Sequence, residues 1–347
     1  METQSTLLLY AFAPAFIATF LILSASRYPN VRESISIIAA ILQCVFVYQI
    51  FQEHRLDNVL EYTIISFSPS VTFSLKADTL GLYFALIASF LWVATTFYSI
   101  GYMRKNKERR QTRFYASFAA SLFATLGVAF AENLLTFIVF YELLTLATYP
   151  LVVHKESEKA IRAGRQYLVY SLTAGVLLIA GAGIIHELTG SLSFQAGGML
   201  EQYEIAPSYI YLLSFLLFTG VAVKAGIMPL HSWLPNAMIA PTPVSALLHA
   251  VAVVKSGVFG VARITGYVIG PDVLAGYGIQ FIIATFASAT IVLASFIALK
   301  QDSLKRRLAY STISHLSYIV LGIAILSPLA FVGGIYHIAT HATMKIT

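Results

Sequence analysis

The sequence predicts an all-α polytopic membrane protein. Three observations carry that prediction. The chain is 58% hydrophobic and 11% charged over 347 residues, whereas soluble domains carry about 25% charged residues. Runs of about 18 or more mostly apolar residues recur along nearly the whole length, each able to cross a hydrocarbon core of ~30 Å as a helix. The basic residues fall in alternate connections between those runs.

The apolar runs are 7–25, 35–51, 79–100, 114–131, 134–153, 167–188, 209–228, 243–264, 277–299, 308–326 and 329–347, about 11 transmembrane helices. The first follows "METQST", which has no basic residue, so it reads as a retained span and not a cleaved leader. Between the second and third runs, residues 52–78 alternate β-branched and aromatic side chains around "SFSPS", the pattern of a short hairpin on the outer face. Four connections, "SRYPNVRE", "GYMRKNKERRQTR", "HKESEKAIRAGRQ" and "KQDSLKRR", hold sixteen of the 22 Lys and Arg residues. The opposite connections hold only Arg55, Lys76 and, at a span end, Arg263. This asymmetry places the four basic connections in the cytoplasm and the N-terminus outside, as in a cell (inner) membrane. The formal charge of +6 is therefore a topology signal, with no nucleic-acid partner implied. The single Cys44 provides neither a disulfide nor a metal cluster.

The seventh run is unusual. "GIMPLHSWLPNAMIAPTP" places Pro229, Pro235, Pro241 and Pro243 just after Lys224, and proline removes a backbone donor and clashes with the preceding turn. A broken seventh helix is expected, its freed carbonyls facing protein or water. The alternative is an interfacial loop between two ordinary spans.

Ionisable groups inside spans cost ~2.5–3.5 kcal/mol each at the centre on insertion scales and mark functional sites by default. Here they are Glu142, Lys224, His249, Lys255, His337, His341 and Lys345. Glu142 sits mid-span, nine residues after Asn133, and Lys224 is a candidate partner. At ~6 Å and an effective dielectric of ~20 the pair would attract by about 2.8 kcal/mol. A salt bridge serving only packing is the bland reading. His337, His341 and Lys345 recur every four residues and share one side of a helix, which suits a hydrated, proton-passing groove. Hydrogen-bonded core histidines or metal ligands remain alternatives, although no carboxylate on that helix completes a metal site. His249 and Lys255, six apart, point to different sides. Glycine-rich phosphate loops, nucleophile elbows and cysteine pairs are missing, so no cofactor and no bond-making chemistry is expected of this chain.

With those residues in view, "KAGIMPLHSWLPNAMIAPTPVSALLHAVAVVKSGVFGVAR" (224–263) resembles the signature of proton-translocating antiporter-type membrane subunits. These are the large subunits of Mrp-type Na⁺/H⁺ antiporters and the antiporter-like subunits of respiratory complex I. "FYELLTLATYPLV", "LKRRLAYSTISHLSYIVLGI" and "GGIYHIATHATMKIT" resemble further stretches of that family, and His249 with Lys255 leans toward the D-like group of Mrp large subunits. The resemblance implies a mid-membrane charged axis. Glu142 pairs with Lys224, Lys255 is the central relay lysine with His249 beside it, and His337 and His341 continue through a broken eleventh span. It also implies partner membrane subunits, protons, and Na⁺ or K⁺ as the exchanged cation. Pumping within an NADH:quinone oxidoreductase or hydrogenase, or energising an inorganic-carbon uptake complex, are the other functions it admits. The family has about 14 spans. On that pattern residues 1–113 form the N-terminal spans and hairpin, and 114–347 form the core, apparently truncated inside the eleventh span.

Overall fold

The computed structural model describes residues 2–246 and 252–346. Packing divides the chain into two units, residues 1–161 with 240–252, and residues 162–239 with 253–345. This division follows contacts, whereas a boundary after residue 113 follows the motifs.

The first unit contains α1 (Leu7–Ser24), α2 (Pro29–Arg55), α3 (Thr79–Lys105), α4 (Gln111–Ala129), α5 (Leu134–Val152) and the short α9 (Thr242–Ala246). α1 packs on α2 and α4, α4 on α5, and α3 on α2 and α9. The expected hairpin forms from β2 (Val59–Ser68) and β3 (Val71–Lys76), turning through Pro69 and Ser70. A third strand, β1 (Glu2–Gln4), pairs in parallel with β2, and nothing in the sequence pointed to it. The hairpin is fastened to the α4–α5 corner: Lys76 N donates to Phe130 O at 2.7 Å and Ser74 Oγ to Glu132 Oε2 at 2.9 Å. Asn133 Nδ2 also donates to Thr72 O at 2.9 Å, while its Oδ1 caps α5 by accepting from Thr136 N at 2.8 Å. An N-cap amide thus joins sheet and helix.

Where the basic connections meet this unit, charges are paired. Buried Arg32 donates to Gln111 Oε1 at 2.7 Å and lies 3.3 Å from Glu33, which also pairs with Arg104. Nearby, Arg113 Nη1 donates to Glu156 Oε1 at 2.5 Å and Arg110 donates to the same oxygen. The Arg113 hydrogen bond, chiefly, holds the Glu156 carboxyl below the usual carboxylate range.

The second unit contains most of α6 (Glu158–Thr189), then α7 (Pro207–Ala225), α8 (Trp233–Ala237), α10 (Val253–Arg263), α11 (Pro271–Gly276), α12 (Ile279–Leu299), α13 (Leu304–Ala324) and α14 (Pro328–Ile346). α7 packs against α10, and α13 against α12 and α10. Helices approach closely where glycine removes a side chain. A Cβ on Gly220 of α7 would lie 2.5 Å from Leu178 of α6, and one on Gly334 of α14 would lie 3.0 Å from Ile319 O of α13. Large apolar side chains such as Phe215, Phe281, Phe286 and Phe296 are exposed, as a lipid-facing surface requires.

Apart from the eighth, each apolar run falls on one helix, although α2 and α6 begin well before their runs, at Pro29 and Glu158 against 35 and 167. In the eighth, α9 and α10 flank residues 247–251, which lie outside the described residues, as does the expected relay residue His249. Among the described residues, seven helices (α1, α2, α3, α5, α6, α7 and α12) are long and apolar enough to cross a membrane. The eleventh run differs from expectation. α14 is continuous over Pro328–Ile346, with no interruption at His337 or His341. Pro328 occupies the first helical position, where its missing donor costs nothing, and no proline follows to break the helix.

Candidate functional site

The site grows from the end of α7. Lys224 is 0% exposed and lies in the last turn, where the negative end of the helix dipole favours a cation. The helix stops because Gly226 takes φ +72°, a conformation open to glycine. Ile227 N then reaches back to Ala222 O at 3.1 Å and Gly226 N to Val223 O at 3.2 Å, the paired bonds of a Schellman ending. Val223 O also accepts from Trp233 Nε1 at 2.8 Å, and Met228 N donates to Thr290 Oγ1 at 3.1 Å. Carbonyls and amides freed at this end therefore find partners inside the protein. Pro229 lies in the turns after α7, Pro235 within α8, Pro241 before α9 and Pro243 inside it.

Lys255, also 0% exposed, is on the facing helix α10. The two helices touch at Gly257, where a Cβ would come 2.2 Å from Ala225 N and 2.5 Å from the carbonyl carbon of Lys224. Lys255 Nζ donates to His341 Nδ1 at 2.5 Å. His341 is 0% exposed, and its Nε2 makes no hydrogen bond among the described residues. The chain continues sideways. The rings of His315 and His341 lie 5.2 Å apart, and His315 Nδ1 lies 3.1 Å from His337 Nε2. His337 Nδ1 meets Thr340 Oγ1 at 3.2 Å, and one turn beyond His341, Lys345 Nζ donates to Ser311 Oγ at 2.9 Å. No group of three His, Cys, Asp or Glu residues suited to a metal occurs among the described residues.

The structure thus joins Lys255, His337 and His341, with Lys345 on the same helix. It adds His315, which the sequence presents only inside a longer motif. The available signal was a histidine in the middle of the apolar run 308–326. Glu142 belongs to the first unit, on α5, with both carboxylate oxygens buried. Its membership of the relay is part of the proposal below. An apolar cavity of about 490 Å³ lies beside the α7 ending, lined by Ala222, Ile227, Pro229 and Phe286 among others, and it has no charged lining residue. It is therefore no part of the polar chain.

Lysines and histidines, buried at Lys224, Lys255 and His341 and half-buried at His315, His337 and Lys345, thus cluster within apolar helices of a multi-pass membrane protein. Residues 131–347 match the family described as NADH:quinone oxidoreductase/Mrp antiporter, TM, and the chain belongs to that family. Residues 64–115 match a second model, NADH-Ubiquinone oxidoreductase (complex I), chain 5 N-terminus. Among curated relatives, the A/B component of a probable K(+)/H(+) antiporter of Rhizobium meliloti is 35% identical over 79% of this chain and 27% of its own length. The A component of the Na(+)/H(+) antiporter of Alkalihalophilus pseudofirmus is 30% identical over 98% of this chain and 44% of its own. The chloroplastic NAD(P)H-quinone oxidoreductase subunit 5 of Adiantum capillus-veneris is 32% identical over 85% and 41%. This chain therefore spans less than half the length of these relatives. Both antiporter relatives are A-type components, whereas His249 with Lys255 leaned toward the D-like group. In fold, the chain is similar to one component of the Mrp complex from Dietzia sp. DQ12-45-1b, at TM-score 0.84, 24% identity and coverage of 98% of this chain and 36% of that one. It is also similar to a chain of an archaeal membrane-bound sulfane sulfur reductase, at TM-score 0.88, 21% identity and coverage of 99% and 69%.

Proposed function

We propose that the chain is the proton-translocating membrane subunit of a multisubunit monovalent cation/H⁺ antiporter, exchanging Na⁺ or K⁺ for protons across a cell (inner) membrane. The observation that carries the proposal is the 2.5 Å hydrogen bond between fully buried Lys255 and His341. An ammonium at Lys255 donates to His341 Nδ1, which fixes the imidazole proton on Nε2. Transfer of the lysine proton to Nδ1 makes His341 an imidazolium. Its neighbour His315 then stands next in line, and the His315–His337 hydrogen bond passes the proton on by exchanging donor and acceptor nitrogens. Lys224, on the helix that meets α10 at Gly257, stands upstream of Lys255 in this relay, and Glu142 is assigned to the same relay by the family resemblance. Lys345, one turn beyond His341 on α14, flanks this line, and His249 is assigned to the relay by the family resemblance alone.

The chain spans part of its relatives' length, so coupling requires additional spans or partner subunits. The likeness to subunit 5 of a quinone oxidoreductase supports a second reading, in which redox subunits drive protons through the same relay; a carbon-uptake complex would use it similarly. Purification of the intact complex from the native host, followed by reconstitution, separates these. An imposed pH gradient that collapses on adding Na⁺ or K⁺ supports the first reading, and a gradient built only by an added reductant supports the second. In either case Lys224→Ala should lose proton flux by roughly 10²-fold with co-purifying subunits unchanged. Full flux in that variant would reduce the buried lysine to a packing residue.

A further inference from the structure

The apolar cavity of about 490 Å³ beside the α7 ending is a half-open groove between α7 and α12. Tyr211, Phe215, Ile282 and Phe286 stand at its mouth, 49%, 63%, 55% and 51% exposed. Its floor is Val261 of α10 and Val320 of α13, which are 1% and 0% exposed. Lining residues run along α7 from Tyr211 to Ala222, a rise of roughly 16 Å, and continue through Ile227 and Pro229 after the helix ends. That is about half of a ~30 Å hydrocarbon core, the depth of one leaflet. The two ends of the groove differ. At one, Tyr211 Oη donates to Tyr277 O at 3.3 Å and the two rings meet edge to face, their centres 5.8 Å apart. Exposed Tyr209 stands on the same first turns of α7, and tyrosines gather at the level of lipid headgroups. Ser214, one turn beyond Tyr211 and 4% exposed, also lines the groove, and its hydroxyl makes no hydrogen bond among the described residues. At the other end are the turns that stop α7.

We propose that this groove binds one acyl chain of a membrane phospholipid, taken from the leaflet on the side of the 190–206 connection. Spread over the length of the groove, its volume gives a cross-section of about 30 Å². A helix 10 Å across needs about 80 Å², so a partner's span does not enter, whereas an extended hydrocarbon chain does. A lining without charge gives an ion no counter-charge, while a chain lying on Val261 and Val320 supplies the dispersion contacts that a void lacks. Near the tyrosine end, the Ser214 hydroxyl donates to the carbonyl of the chain's ester and so completes a hydrogen bond that the protein leaves open. The far end of the chain lies against Ile227 and Pro229 and braces the turns after α7. The groove shares no side chain with Lys255, His315, His337 or His341, so lipid binding is independent of the relay.

The test uses the intact complex in liposomes of phosphatidylcholine containing a trace of the same lipid with a diazirine at the end of one acyl chain. After illumination, labelled residues are mapped by mass spectrometry. The floor decides the outcome, because bulk lipid touches exposed Phe215, Phe281 and Phe296 but not buried Val261 or Val320. The expected result is label on the peptides that hold Val261, Val320 and Pro229. That label should fall about tenfold in Ile283→Trp, which fills the groove from α12, with label on Phe296 unchanged. With the diazirine beside the ester, label should move to Ser214 and Ile282. Label confined to Phe215, Phe281 and Phe296 overturns the proposal, as does floor label undiminished in Ile283→Trp. An unlabelled floor together with a cross-link from Ile282→Cys to a co-purifying subunit also overturns it, and assigns the groove to a protein partner. If Ile283→Trp does not assemble, Thr219→Leu takes its place, and if neither assembles the wild-type map alone decides.

Discussion

His315 is the residue whose importance emerges from distances. It reaches His337 through a 3.1 Å hydrogen bond and lies ring to ring with His341, so it bridges two histidines of α14 from the neighbouring helix. If protons pass along this line, His315→Ala lowers turnover by roughly 10²-fold, and His315→Gln does not restore it, because an amide forms hydrogen bonds but does not titrate near neutral pH. Proton flux of the reconstituted complex checks this, and recovery by the glutamine variant would mean that His315 only holds its neighbours in place.

At the scale of elements, the contact between α7 and α10 decides whether the two buried lysines stand on neighbouring helices. Gly257 makes the contact possible, since any Cβ there enters the backbone of Lys224 and Ala225. Gly257→Ala is expected to force the helices apart at a cost of about 1–3 kcal/mol. A lowered thermal midpoint of the detergent-solubilised complex, together with reduced flux, would record this. An unchanged midpoint would show that the helices yield without penalty. The end of α7 is likewise a property of the element. Gly226 turns the chain, and Trp233 and Thr290 satisfy the freed groups.

For the whole molecule, the distribution of charge sets orientation. The basic connections carry the paired clusters of Arg32, Glu33 and Arg104 and of Arg110, Arg113 and Glu156, while the hairpin and the 190–206 connection carry few basic groups. In intact cells of the host, a cysteine placed by Ser70→Cys should react with an impermeant thiol reagent. One placed by Lys107→Cys should react only after the membrane is opened. The reverse labelling would invert the orientation and with it the direction of the proposed flux.

Helix positions were legible in the sequence because a bilayer imposes length and apolarity on each span separately, so local composition suffices. The hairpin was legible for a similar reason, its alternation being a local pattern. The parallel pairing of β1 with β2 was not, since it joins residues more than fifty positions apart. The sequence also singled out the buried lysines and two of the three clustered histidines, because charge inside an apolar run is conspicuous by itself. Tertiary structure alone decided that Lys255 meets His341 and that His315 belongs between His337 and His341. Each of these depends on which helix faces which, and that is settled by close packing at glycines such as Gly257 and Gly334, where the absence of one side chain allows two backbones to meet.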